Sequence, residues 1–234
     1  MTTLPNECYY IIFNNFRRYH KSLFSCALVN RQWCRVIIPI LWSESEHHFH
    51  DEKLIRTLLL MLNAEEQTLL IPFKISIPSN PNPLFEYSSY IISVTNGLHD
   101  GIRNWVPPYE RYEFGYETEN AIKCSLIAMF LRTGKNLKYL NIDNTICNQI
   151  IFENLYKNTT ITSIELCNIS SDSKPKAIGV LTNVLCENST LTSLDLRRNQ
   201  LGFEEMKTLV EGFYKNTTLN SLDLCNNRIG EEKH

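Results

Sequence analysis

Leu191-Thr192-Ser193-Leu194-Asp195-Leu196 and Leu219-Asn220-Ser221-Leu222-Asp223-Leu224 are two copies of one six-residue pattern. Two looser copies precede them, Leu137-Lys138-Tyr139-Leu140-Asn141-Ile142 and Ile161-Thr162-Ser163-Ile164-Glu165-Leu166. The copies begin at 137, 161, 191 and 219, so they lie 24, 30 and 28 residues apart. Aliphatic residues at the fourth and sixth places turn alternate side chains of a short strand inward and leave the residues beside them facing out. Asn199 and Asn227 follow the last two copies, while Thr145 and Ile169 stand at that place after the first two. The asparagine side chain is expected to bond the backbone of the turn that follows. Between copies the apolar spacing becomes helical. Ile178, Leu181, Val184 and Leu185 line one such stretch, with Pro175 near its first turn, and Met206, Leu209, Val210 and Phe213 line another.

This pattern resembles the leucine-rich repeat, and a period near 28 resembles its ribonuclease-inhibitor subclass. The resemblance implies an α/β solenoid, with parallel short strands on the concave side and helices on the convex side. Lys157-Asn158-Thr159-Thr160, Glu187-Asn188-Ser189-Thr190 and Lys215-Asn216-Thr217-Thr218 recur where each helix gives way to a strand. Asparagine there is expected to take the left-handed conformation that ends helices. Glu165, Asp195 and Asp223 share the middle outward position of successive strands. With Tyr139 and Arg197 they form the candidate target-binding concave face. Such an open, solvated column has no pocket for general acid and base work. No helix pattern follows the fourth strand and its asparagine turn before His234, so an array of about four repeats, incomplete at the C-terminus, is expected over 118–234.

The first 45 residues carry a different pattern. Leu4-Pro5-x-Glu7, Ile12-Phe13, Phe16, Leu23, Cys26, Leu28-Val29, Arg31, Trp33 and Pro39-x-Leu41-Trp42 occur in that order. Pro5 and Glu7 suit a helix start, where a proline loses no hydrogen bond and an acid meets the positive end of the dipole. Helices are expected over 7–16, 21–29 and 31–42, the third capped by Asn30 and kinked or ended by Pro39. The arrangement resembles an F-box, the docking motif for a Skp-type adaptor of cullin-based ubiquitin ligases. The resemblance assigns adaptor contact to Leu4, Pro5, Ile12, Leu23, Leu28, Val29 and Trp33. Cys8 and Tyr9 depart from the aliphatic pair usual after the glutamate, and His20-Lys21 from the usual acid before the second helix.

Residues 46–117 read as a helical connector rich in aromatics and proline. Pro72, Pro78, Pro81 and Pro83 fall within twelve residues. Phe73, Ile75 and Ile77 alternate with Lys74 and Ser76, the period of a short strand. Residues 85–116 hold eight aromatics and are too apolar to stay unpacked. A helix resumes from Thr118, with Ile122, Leu126, Met129, Phe130 and Thr133 on one face and Gly134 at its end.

The 234 residues contain 23 Lys and Arg against 25 Asp and Glu, a formal charge of −2. That balance argues against a nucleic-acid partner, and no apolar run is long enough for a membrane span. The start lacks a signal-peptide pattern. The eight cysteines form no C-x-x-C pair, so a reduced, intracellular setting in cytoplasm or nucleus is expected. Without a secretory signal the sequons at Asn158, Asn168, Asn188 and Asn216 are turn chemistry. His47-His48-x-His50-Asp51-Glu52 lacks a partner Cys or His at zinc spacing and reads as a solvated loop, so no metal or cofactor is expected. No nucleophile elbow, phosphate loop or H-E-x-x-H motif is present, so no catalytic residue and no enzyme is expected. Together the two resemblances imply a substrate-recognition subunit of an SCF-type ubiquitin ligase. The first 45 residues would hold the adaptor, and through it a cullin, and the repeats a protein target. The alternative is a ribonuclease-inhibitor-like binding protein or regulator that acts through the repeats alone.

Overall fold

The computed structural model describes residues 4–75, 77, 83–108 and 115–230. Ser76, Pro78, Pro81, the aromatics Tyr109, Tyr112 and Phe114, and the last four residues lie outside them. Three helices come first: α1 (Asn6–Asn14), α2 (His20–Ala27) and α3 (Arg31–Ser43). Asn30 caps α3 as expected, its side-chain oxygen accepting from Trp33 N at 2.8 Å. Pro39 does not end that helix, which runs on to Ser43. Phe13, Leu23, Ala27, Ile37 and Ile40 form a small core of their own. At its far end α3 meets the main core, where Trp42 stacks on Tyr87 with ring centroids 4.5 Å apart.

Two short helices follow, α4 (Glu52–Leu59) and α5 (Ala64–Thr68). Asp51 caps the first by accepting from Lys53 N at 2.8 Å. Asn63 and Glu66 form a reciprocal capping box on the second, each bond 2.8 Å long. The strand expected over 73–77 is absent from its described residues. Ile71–Phe73 is instead a 3-10 turn with Pro72 in its first positions, and Lys74 leaves it in the left-handed region at φ 53°. Proline at the start of a turn outweighs a three-residue alternation.

The connector holds more order than its composition suggests. Ser93–Val94 is a strand, β1, and Gly97–Trp105 is a helix, α6. Next comes α7 (Tyr116–Thr133), which is buried on nearly every side rather than along one face. Four further strands, β2 (Tyr139–Ile142), β3 (Ser163–Leu166), β4 (Ser193–Asp195) and β5 (Ser221–Asp223), alternate with α8 (Gln149–Lys157), α9 (Lys174–Glu187) and α10 (Phe203–Lys215). The protein is therefore α/β, with an all-parallel sheet ordered β1-β2-β3-β4-β5. Val94, Leu140, Ile164 and Leu194 lie side by side in that register and are all buried. One main core extends from Phe49 to Leu209 and takes in connector and sheet alike. Val210, placed on the inner face of its helix by spacing, points to solvent, while Leu209 and Gly212 face inward.

Side-chain ladders tie the strand ends together. Asn199 donates to Leu166 O at 2.6 Å, Leu196 O at 3.0 Å and Arg197 O at 3.2 Å, and accepts from Ile169 N at 3.2 Å. Asn227 donates to Leu196 O and Leu224 O, both at 2.9 Å. Each asparagine thus reaches back to its own strand end and to the preceding strand, not forward into the next turn. The helix-end asparagines also differ from expectation. Asn158, Asn188 and Asn216 are extended, with φ between −78° and −72°. Their side chains accept from the N–H groups two and three residues on, as in Ile161 N at 2.8 Å and Leu191 N at 2.7 Å. An Asx turn therefore replaces the left-handed end, and the following threonine hydroxyl spans to the preceding layer, as in Thr218 to Leu191 O at 2.8 Å.

Candidate functional site

The three-helix unit exposes an unusual amount of apolar side chain. Its inner positions, Phe13 on α1 and Leu23 and Ala27 on α2, satisfy the small core. Ile37 and Ile40 on α3 complete that core, and several other large apolar residues stay outside it. Leu4, Ile12, Phe16, Phe24, Leu28 and Val29 are exposed, Leu28 at 72%. Pro5 is exposed as well. So many large apolar side chains left exposed on one small unit make it the candidate interaction surface. Two of the sequence-assigned contact residues have other work. Leu23 is 1% exposed and packs inside the bundle, so its side chain has no surface to offer a partner. Trp33 is half-buried, with its ring set edge-on to Phe13 at 5.0 Å and tilted against Tyr9 at 6.0 Å. Tyr9 completes this aromatic cluster, stacked on Phe13 with ring centroids 6.1 Å apart. Tyr10, Ile11 and Tyr19 are exposed too, although the sequence pattern assigns them no contact. Tyr10 and Ile11 line a shallow groove of about 470 Å³ between α1 and α3, facing Arg35, Val36 and Pro39.

A second surface lies on the strand face away from the helices. The register aligns Asn141, Glu165, Asp195 and Asp223 in one row, and Tyr139, Ser163, Ser193 and Ser221 in another. Asn141 is buried, so the accessible carboxylate row begins at Glu165. The Tyr139 hydroxyl donates to the Glu165 carboxylate. Burial, followed by that bond and charge, raises the phenol pKa well above its ordinary value. Arg197 reaches over Asp195, its Nη2 2.6 Å from Oδ2, and its Nε lies 3.3 Å from Asp223 Oδ2. The five sequence-assigned residues are thus brought into one array, with three carboxylates against one guanidinium. Asp143 belongs to a different environment. Burial pulls its pKa up, but Lys123 Nζ at 2.6 Å and the Thr145 N–H outweigh burial and hold the carboxyl below its ordinary range.

Chemistry beyond binding has few bearers here. Burial pushes the Cys124 thiol up to about 12 and also raises Cys147 and Cys167, which keeps these sulfurs protonated near neutrality. Among the described residues no group of three or more His, Cys, Asp or Glu could hold a metal ion. His47 and His48 form part of a 3-10 turn (Ser45–His48), where the His48 ring sits edge-on to His20 at 5.2 Å. Burial, then the rings of His20, His50 and His47, lower the His48 pKa from 6.5. As pH falls through 6.5 the unfolded chain takes up this proton before the folded one. Stability contributed here is full above that value and declines below it, until folded His48 itself titrates. Melting temperatures on either side of pH 6.5 should show this modest loss, and His48→Gln should flatten it; an unchanged slope in the variant would refute the assignment.

Fold and surfaces together define an α/β protein with many exposed apolar side chains on its first three helices and a carboxylate-rich face on its parallel strands. No family model matches the chain, and no curated protein matches it. Among the described residues no helix is long and apolar enough to cross a membrane.

Proposed function

We propose that this chain is a substrate-recognition subunit of an SCF-type ubiquitin ligase. The first three helices serve as an F-box that docks on a Skp-type adaptor, and the strand face serves as a leucine-rich-repeat surface that holds a protein target. The observation that carries the reading is the exposure of Leu4, Pro5, Ile12, Leu28 and Val29 on a bundle whose own core is already filled. In-register parallel strands that follow one another along the chain support the second half, because such an array presents side chains at regular spacing to a large partner. The chain makes and breaks no bond on this reading. It raises the local concentration of a target lysine beside the ubiquitin-charged enzyme.

Co-purification with a Skp-type adaptor tests it. Leu28→Asp combined with Val29→Asp alters two exposed residues and leaves the bundle core intact. Removing two anchors from an apolar interface should weaken adaptor binding at least about thirtyfold. Retention of the adaptor by the double variant at wild-type strength would sink the docking model.

A further inference from the structure

The carboxylates on the outward face of the strands are unevenly compensated. Arg197 is spent on Asp195, its Nε 3.0 Å from Oδ1 and 2.8 Å from Oδ2, and it also reaches Asp223 at 3.3 Å. Lys123 is spent on Asp143 at 2.6 Å. Glu165, one step along the row from Asp195, receives the neutral hydroxyl of Tyr139. Its charge is the least compensated of the row. Glu165 and Asp195 stand on β3 and β4, and each of those strands is paired on both sides, so this part of the face is interior to the sheet.

Asn141 heads the same row and supplies an independent observation. It is 2% exposed, and its Oδ1 accepts from Cys167 Sγ at 3.6 Å, but its Nδ2 has no hydrogen-bond partner. Asn141 is among the polar groups that act on the Tyr139 hydroxyl, so its amide is turned toward the Glu165 side of the row. A buried N–H without an acceptor is costly. The partner it lacks is an oxygen such as a peptide carbonyl.

We propose that this row reads an extended, arginine-bearing segment of a protein target, an inference that rests on the strand face being the target-binding surface. The arginine guanidinium pairs with Glu165, and a carbonyl of the same segment accepts from Asn141 Nδ2. A planar fork suits the face, since Asp195 already holds a guanidinium on both of its carboxylate oxygens. Adjacent strands lie about 4.8 Å apart, a step that an extended segment crossing them covers in about one to two residues. The incoming cation displaces the Tyr139 hydroxyl from Glu165. The released phenol, two residues from Asn141 on the same side of β2, then uncovers the amide. Arg197 limits the affinity, because it neutralises Asp195 and Asp223 from within the chain.

Fluorescence anisotropy of the full chain with a labelled short peptide of alternating arginine and serine tests the proposal. It is run in about 0.15 M salt, where charges more than about 8 Å apart are screened. The expected result is saturable binding that the peptide with citrulline in place of arginine lacks. Glu165→Gln should weaken it at least about tenfold and Asn141→Ala about fivefold, with melting temperatures near that of the parent. Arg197→Met should tighten it about threefold, whereas Lys207→Met, which removes the same charge from α10, should leave it unchanged. Equal binding of the citrulline peptide, indifference to Glu165→Gln, or displacement by spermine at the peptide's own concentration overturns the proposal. The peptide is measured without the adaptor. Its failure to bind beside intact adaptor capture therefore refutes the arginine-reading face alone, and the reverse result refutes the ligase reading while the face stands as a binding surface.

Discussion

Gly101→Ala should destabilise the protein by more than about 4 kcal/mol, or prevent folding altogether. Gly101 lies inside α6, where alanine would ordinarily stabilise a helix by about 1 kcal/mol. Here the chain at Phe49 crosses directly over it. An added Cβ would sit 1.8 Å from Phe49 O, 2.9 Å from Phe49 C and 3.0 Å from Ile55 Cγ1. The obstructing atoms are backbone and have little room to retreat. Phe49 is fully buried against Phe130, and Asn104 fixes the next carbonyl by donating to His50 O at 2.9 Å. Gly179→Ala is the matching control. It lies in α9 with nothing within 4 Å of the added carbon, so propensity alone decides and the expected change is a gain of up to about 1 kcal/mol. Urea unfolding of both variants checks the pair, and a stable Gly101→Ala protein would mean that the crossing is wrongly placed.

The second large effect is expected at Asn199. Its side chain is 2% exposed and satisfies three carbonyls and one N–H of the β3 and β4 ends. Asn199→Ala removes all four bonds and leaves several of those backbone groups buried and unpaired, a cost of about 3 to 4 kcal/mol. Asn227 makes a similar set one strand further out, where solvent can replace what is lost, so Asn227→Ala should cost about 1 kcal/mol. The order of the two, read from denaturant midpoints, is the decisive result. Equal losses would show that the ladder does not depend on burial.

The strands β2 to β5 and their helices are legible in the sequence because each strand repeats aliphatic residues at its first, fourth and sixth places. β1 follows the same pattern in part. Ile91 and Val94 occupy the positions of Leu137 and Leu140, but Asn96 stands where Ile142 would be, and the missing aliphatic residue hid the strand. The conformation of the helix-end asparagines is not legible in the sequence for another reason. Left-handed ends and Asx turns both favour asparagine, and only the position of the next two N–H groups distinguishes them.

The site was legible to a similar degree. Register alone placed Glu165, Asp195 and Asp223 in a row, because period two leaves little freedom. The grip of Arg197 on two of them depends on side-chain reach, which spacing does not encode. Leu23 shows resemblance overriding local physics. Four residues from Ala27 on an eight-residue helix, it shares that helix's inward face.

Helix α3 belongs to both cores at once. Near its start Trp33 packs on Phe13, and at its end Trp42 stacks on Tyr87. Thirteen residues make a rod about 20 Å long, and no hinge loop separates its two anchorages. The apolar face of the first helices is thereby held at a fixed distance and bearing from the carboxylate row on the strands. One residue inserted between Ile40 and Trp42 would turn one surface by about 100° relative to the other and advance it by about 1.5 Å. The helix is thus a protractor as well as a spacer, and it fixes the angle at which molecules seated on the two faces approach each other.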